Sequence, residues 1–288
     1  RVIWQDPPVR ARRLAIALAA CAALAWLAAP ACAARLWTAP VPIGGGDERS
    51  VPALATDGHG TTMLAWTEYD GSDLVIYAST ARDGGAWSTP EEVTRGGYPG
   101  GPQLAMDATG TAIVAWREWD GGAIVDAKAR VRRPDGTWGP IEGLSGSDPF
   151  RWGEGPVVAL DGKGHGVAVY TRQSPAELMA RRYDGGWSTG FTLGVMGADT
   201  RAMAVALDEA GTATALYLQS DGSHVTARAC TFTIGACATP TALSAAGADV
   251  TELVASGGAD GSIAAAWVRG GRAQGSTFRN GAWAPTTT

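Results

Sequence analysis

The sequence is short of lysine, histidine and cysteine. Lys128 and Lys163 are its only lysines, and the net charge is −5 over 288 residues. That balance excludes the basic footprint of a nucleic-acid binder. His59, His165 and His224 are scattered without ligand spacing, so no metal or other cofactor is expected. Of the four cysteines, only Cys230 and Cys237 lie outside the N-terminal apolar segment. An even pair in an exported chain reads as a disulfide. Long apolar runs are missing too. The longest, Leu14 to Ala29, reaches about 16 residues, short of the ~20 that cross a bilayer.

That one run has the layout of a targeting segment. Arg10, Arg12 and Arg13 precede it, and Ala31-Cys32-Ala33 follows as a small-x-small pattern. Cleavage is expected before Ala34, making residues 1–33 a signal peptide and 34–288 the mature domain. The mature protein is then secreted or extracytoplasmic, with no stable membrane span. Two alternatives stay open: a lipoprotein anchored at Cys21, after Leu18-Ala19-Ala20, and an uncleaved anchor.

Glycine (40) and tryptophan (12) are abundant, as in a turn-rich β protein, and their positions repeat. Trp66, Trp116, Tyr170, Tyr217 and Trp267 each end an apolar stretch, spaced by 50, 54, 47 and 50 residues. Six residues before each stands Gly60, Gly110, Gly164, Gly211 or Gly261. Nine before stands Asp57, Asp107, Asp161 or Asp208, with Gly258 in the last copy. The Asp-x-x-Gly is a tight turn, in which the carboxylate caps backbone N–H groups and Gly supplies positive φ. A second marker keeps step: Trp87, Trp138, Trp187 and Trp283 each follow a Gly- or Asn-rich turn. In the fourth copy Cys237 and Ala238 take that place, where a Cys230–Cys237 bridge would close the hairpin.

Each unit of about 50 residues parses into four strands, in the first copy 51–56, 61–68, 73–79 and 86–93. A repeated four-stranded unit of this length specifies an all-β propeller. Five units are complete. Trp37-Thr38-Ala39-Pro40 repeats the fourth-strand motif 50 residues before Trp87 with no first three strands ahead of it. It is an orphan strand, read either as an extra strand of a closed five-bladed ring or as part of an incomplete sixth blade.

The small-residue strand, Asp-x-x-Gly turn, apolar strand ending in Trp, and Trp-Ser-x-Pro strand together resemble the sialidase-like Asp-box propellers over residues 51–288. In the first unit Thr80, Gly84 and Trp87 match the Asp box, with Arg82 where the box has Asp. Neither an Arg-Ile-Pro segment nor a set of three arginines for a sialic carboxylate is present. The resemblance implies a propeller fold and, as one possibility, a divergent glycoside hydrolase.

Propeller geometry sorts the loops onto two rims. The one–two and three–four turns share the first and carry the repeated Asp turns. The two–three turns and blade connections share the second, which is irregular and collects the aromatics that fall outside the repeat. The candidate ligand-binding residues there are Tyr69 and Trp119 in the two–three turns, and Tyr98, Phe150 and Trp152 in the connections. Glu68, Arg117, Glu118, Asp120 and Arg151 accompany them. Rings beside carboxylates and guanidiniums suit a sugar or another polar ligand. The plainer alternative is that these rings cap the channel or pack loops.

Other motifs carry less. Gly186-Trp187-Ser188-Thr189-Gly190 imitates a nucleophile elbow, but it lies on a repeat strand rather than a strand-to-helix turn. Arg130, Arg132, Arg133, Arg181 and Arg182 read as a solvated edge that resists aggregation. Glu68 and Glu118 hold equivalent places on neighbouring blades. No catalytic set is assigned, and the leading expectation is a non-catalytic propeller binding a carbohydrate or protein. A sialidase-like hydrolase and a structural or adhesion module are the alternatives.

Overall fold

The computed structural model describes residues 39–45, 47–48, 51–122, 125–146, 155–173, 176–197, 200–258 and 260–287. The proposed signal peptide, Cys21 and Trp37 fall outside them. The chain divides into Arg1–Pro42 and Ile43–Thr288. The second unit is an all-β propeller of five antiparallel sheets, each built on four strands.

Blade 1 holds β1 (Asp47–Glu48), β2 (Ala53–Thr56), β3 (Thr61–Tyr69), β4 (Leu74–Arg82) and β5 (Glu91–Arg95). Blade 2 holds β6 (Tyr98–Pro99), β7 (Gln103–Met106), β8 (Ala112–Trp119), β9 (Val125–Arg132) and β10 (Trp138–Gly143). Blade 3 runs through β11 (Val157–Leu160), β12 (Gly166–Gln173), β13 (Ala176–Tyr183) and β14 (Phe191–Met196). Blade 4 runs through β15 (Arg201–Leu207), β16 (Ala213–Ser220), β17 (Val225–Phe232) and β18 (Thr241–Ala242). Blade 5 runs through β19 (Val250–Gly257), β20 (Ile263–Arg269), β21 (Arg272–Arg279) and β22 (Ala282–Trp283). The short β1 and β6 pair with the ends of β3 and β8 beside the first full strand of each blade.

The two-residue period of a strand explains the stacking, because alternate side chains of one strand serve two different interfaces. Met63 and Ala65 of β3 face blade 2 and meet Ala112, Val114 and Trp116. Ile113 and Ala115, on the other side of β8, meet Ala168 and Tyr170. Val167 and Val169 then meet Ala213, Ala215 and Tyr217, and Leu216 and Leu218 meet Ile263, Ala265 and Trp267. Each seam thus puts the large aromatic of one blade against small or branched residues of the blade before it. Trp116 and Tyr217 are fully buried this way. The outward sides of the end sheets differ: Leu54 is 60% exposed and Val254 is 66% exposed.

The Asp turns form as the residue types require. Asp57, Asp107, Asp161 and Asp208 each accept the N–H groups two and four residues on through Oδ1. The glycine three residues after the Asp has positive φ in all four, as does Gly261 in blade 5. In blade 1 the fourth strand begins later than the sequence pattern places it. β5 starts at Glu91, not near residue 86. The Trp-Ser pair before it substitutes side-chain bonds for a ladder. The Thr80 N–H donates to Ser88 Oγ (3.0 Å) and the Ser79 hydroxyl donates to the Ser88 carbonyl (2.8 Å). Ser188 repeats this with the Arg182 N–H. In blade 4 the place is taken by the Cys230–Cys237 disulfide, with Cα atoms 5.6 Å apart.

Two of the arginines assigned to a solvated edge tie blades together instead. Arg130 of blade 2 donates to the carbonyls of Glu92 and Val93 in blade 1 and lies over the Trp138 ring. Arg182 of blade 3 donates to Phe232 and Thr233 carbonyls in blade 4 and lies over the Phe232 ring. A guanidinium spans such a gap because its several N–H groups reach two carbonyls at once.

Candidate functional site

The irregular rim is best defined on blades 1 and 2, where β3 and β8 end in an aromatic. Tyr69 and Trp119 each use their polar atom to close their own turn. The Tyr69 hydroxyl donates to the Gly71 carbonyl at 3.0 Å, and Trp119 Nε1 donates to the Gly122 carbonyl at 2.8 Å. The following aspartates brace the same turns. Asp120 accepts the Gly122 N–H, and Asp70 accepts the N–H groups of Asp73 and Ser72 and an ion pair from Arg95. The Asp73 N–H bond and then Arg95 hold the Asp70 carboxyl well below the usual carboxylate range.

Tyr98 is the outermost ring. β6 sets it directly across from Trp119, and the two ring centroids stand 4.9 Å apart at 39°. Tyr98 is 53% exposed and Tyr69 37%. Arg117 shares the Trp119 side of β8 by strand alternation, and its stem and Nε run against Gly100, where a Cβ would have no room. Tyr98, Arg117 and Trp119 thus share one side of blade 2.

The carboxylates face elsewhere. Glu118 shares the opposite side of β8 with Trp116, whose Nε1 donates to it at 3.1 Å, and Lys128 pairs with it. Glu68 sits two residues after Trp66, accepts its Nε1 at 2.7 Å and the Gly45 N–H at 3.2 Å, and is buried. Glu118 lies in the seam between blades 1 and 2, whereas Glu68 lies on the far side of β3 from that seam. The structure does not bring the two together across a shared space. Phe150, Arg151 and Trp152 lie outside the described residues.

Asp126 and Lys128 were missed in the sequence. They alternate along β9 onto the Glu118 side, since Asp126 stands opposite Glu118 and Lys128 opposite Trp116 in the register. Burial pushes the Asp126 carboxyl up and the nearby Glu118 charge adds to this, against the Ser145 hydroxyl bond and Lys128, which pull it down. The clue was available: in β9, Val125–Arg132, polar and apolar residues alternate strictly, and pairing it with β8 puts both polar groups beside Glu118.

On the Asp-turn rim, grooves open at three seams. They have volumes of about 580 Å³ between blades 1 and 2, 390 Å³ between blades 3 and 4, and 680 Å³ between blades 4 and 5. This rim read as structural in the sequence, because single Asp turns reveal nothing about the space between blades.

No protein-family profile matches the chain, and no curated protein matches it. In three dimensions it is similar to a protein of unknown function from Dyadobacter fermentans, with TM-score 0.54, 13% identity, and 81% of this chain and 79% of that one covered. It is also similar to the Aleuria aurantia lectin, a six-bladed β-propeller with a fucose recognition mode, at TM-score 0.53, 11% identity, and 82% of this chain and 78% of that one covered. A Hadza microbial sialidase follows at TM-score 0.50 and 16% identity, with 83% of this chain and 58% of that one covered. At such identities the β-propeller fold is what these proteins share with this chain.

Proposed function

We propose that the protein is an exported, non-catalytic propeller that binds a carbohydrate on its irregular rim, with Tyr98 as the stacking surface. The half-exposed Tyr98 ring, held against Trp119 by strand pairing, carries this reading. A pre-ordered ring covers the C–H face of a pyranose without ordering cost, and the neighbouring Arg117 and Asp120 offer groups that bond hydroxyls. The lectin and the sialidase supply the same expectation through their fold. The disulfide and the Arg10–Ala33 signal pattern support a place outside the cytoplasm. The hydrolase reading needs two carboxylates about 5–9 Å apart across one bond. Glu68 and Glu118 do not share a seam, and among the described residues Glu118 and Asp126, opposite each other on β8 and β9, are the pair on which it would rest.

The test is a glycan array probed with the full chain and with Tyr98→Ala and Tyr98→Ala/Trp119→Ala variants. Binding is expected to fall with the first and vanish with the second, while circular dichroism stays unchanged. Undiminished binding in a folded double variant would sink the assignment.

A further inference from the structure

We propose that the groove between blades 4 and 5, on the Asp-turn rim, is a second ligand site, suited to one neutral pyranose; this rests on different residues from the Tyr98 site and stands independently of it. Its volume of about 680 Å³ falls within the roughly 300–1,000 Å³ of small-molecule pockets. Thr241 of the two-residue β18 is among its lining residues.

Its chemistry differs from that of the other two grooves. Arg82 and Arg132 line the groove between blades 1 and 2, and Lys163 and Arg182 line the one between blades 3 and 4. Among the described residues, the lining between blades 4 and 5 has no lysine or arginine but does have carboxylates. An anionic sugar is therefore repelled there. The wall carries two half-buried rings, Phe278 and Trp283, with centroids 5.4 Å apart. Thr212, Thr214 and Asn280 also line the groove, and hydroxyl and amide groups serve as both donors and acceptors.

One acceptor is left over from the fold. Asp208 caps its turn through Oδ1, which takes the N–H groups of Ala210 at 3.0 Å and Thr212 at 2.7 Å. In the turns of blades 2 and 3 the second oxygen is also engaged: Asp107 Oδ2 accepts the Gly164 N–H, and Asp161 Oδ2 meets His165 Nδ1. Among the described residues no group donates a hydrogen bond to Asp208 Oδ2, which lies beside Gly261, itself part of the groove wall. A carboxylate oxygen next to rings and hydroxyls is the donor-seeking group that fixes a sugar hydroxyl.

The test is saturation-transfer NMR on the full chain with neutral methyl hexopyranosides, methyl uronates and methyl hexosaminides, followed by titration of any binder. At least one neutral pyranoside is expected to bind, and no uronate. Asp208→Asn keeps the capping oxygen but turns Oδ2 into an amide nitrogen, and about tenfold weaker binding is expected, the size of one charge-assisted bond. Trp283→Phe is expected to weaken it further, whereas Tyr98→Ala leaves it unchanged. The proposal is overturned if no neutral pyranoside binds, if uronates or hexosaminides bind better, or if binding survives Asp208→Asn. Loss with Tyr98→Ala alone would also overturn it, while supporting the irregular-rim site.

Discussion

The two rims of this propeller are built from similar residues used to different ends. Asp107 and Asp120 both cap a turn of blade 2. Asp107 is 5% exposed, its Oδ1 serves Thr109 and Thr111, and its Oδ2 reaches Gly164 in blade 3. Asp120 is exposed and accepts the N–H of Gly122 within its own turn. One aspartate joins blades and the other shapes a loop. The same holds for aromatics: Trp116 is wholly buried in a seam, whereas Trp119 packs at the margin of the next seam, closes a turn and supports Tyr98. Residue type alone does not separate structural from ligand-facing positions; what each side chain spans does.

That contrast is sharpest in stability. Asp107→Ala is expected to cost about 3 kcal/mol, since it orphans buried N–H groups on two blades at once. Asp120→Ala is expected to cost about 0.5 kcal/mol or less. Urea unfolding with an unchanged m-value measures both, and equal losses would erase the distinction between the rims. A smaller effect tests the seams. Tryptophans at the strand-end position give their indole N–H to Glu68, Glu118 or Gln274, but among the described residues the buried Tyr217 hydroxyl has no hydrogen-bond partner. Tyr217→Phe is therefore expected to stabilise by about 1 kcal/mol, read as a higher midpoint.

The smallest expected effect is electrostatic, on the Asp-turn rim. The side-chain bond to Asp161 raises the His165 pKa above its ordinary value. The folded state then holds that proton more tightly than the unfolded chain. The contact stabilises fully below the ordinary histidine pKa, and its contribution is lost as pH rises through the raised value. NMR titration should find His165 shifted upward, and Asp161→Asn should return it toward the ordinary value.

Much of the fold was legible because the repeat marks positions where only a few residue types work. A positive-φ glycine and an aromatic two-sided strand recur in five copies and an Oδ1 cap in four, and all three stand where their spacing placed them. The start of β5 was not legible. Trp87-Ser88 carries strand-like residues, but Ser88 bonds replace the ladder there until Glu91. Arg130 and Arg182 were misread because a charged residue on an outer strand gives no hint of a carbonyl pair on the next blade. Site residues were only partly legible for the same reason. Strand alternation separates Glu118 from Trp119 although they are adjacent, and Asp126 joins Glu118 only through cross-strand register.

The exposed outward sides of the first and last sheets have a dynamic consequence. A strand whose side chains are left exposed has less apolar burial holding it and opens locally more often than one covered on both sides. Amide protons of β2 and β20 should therefore exchange with solvent through local opening, while those of β8, β12 and β16 wait for global unfolding. Both proposed sites gain rigidity from this unevenly. Tyr98 and Trp119 belong to an interior sheet, whereas the Trp283 groove takes one wall from a sheet that breathes.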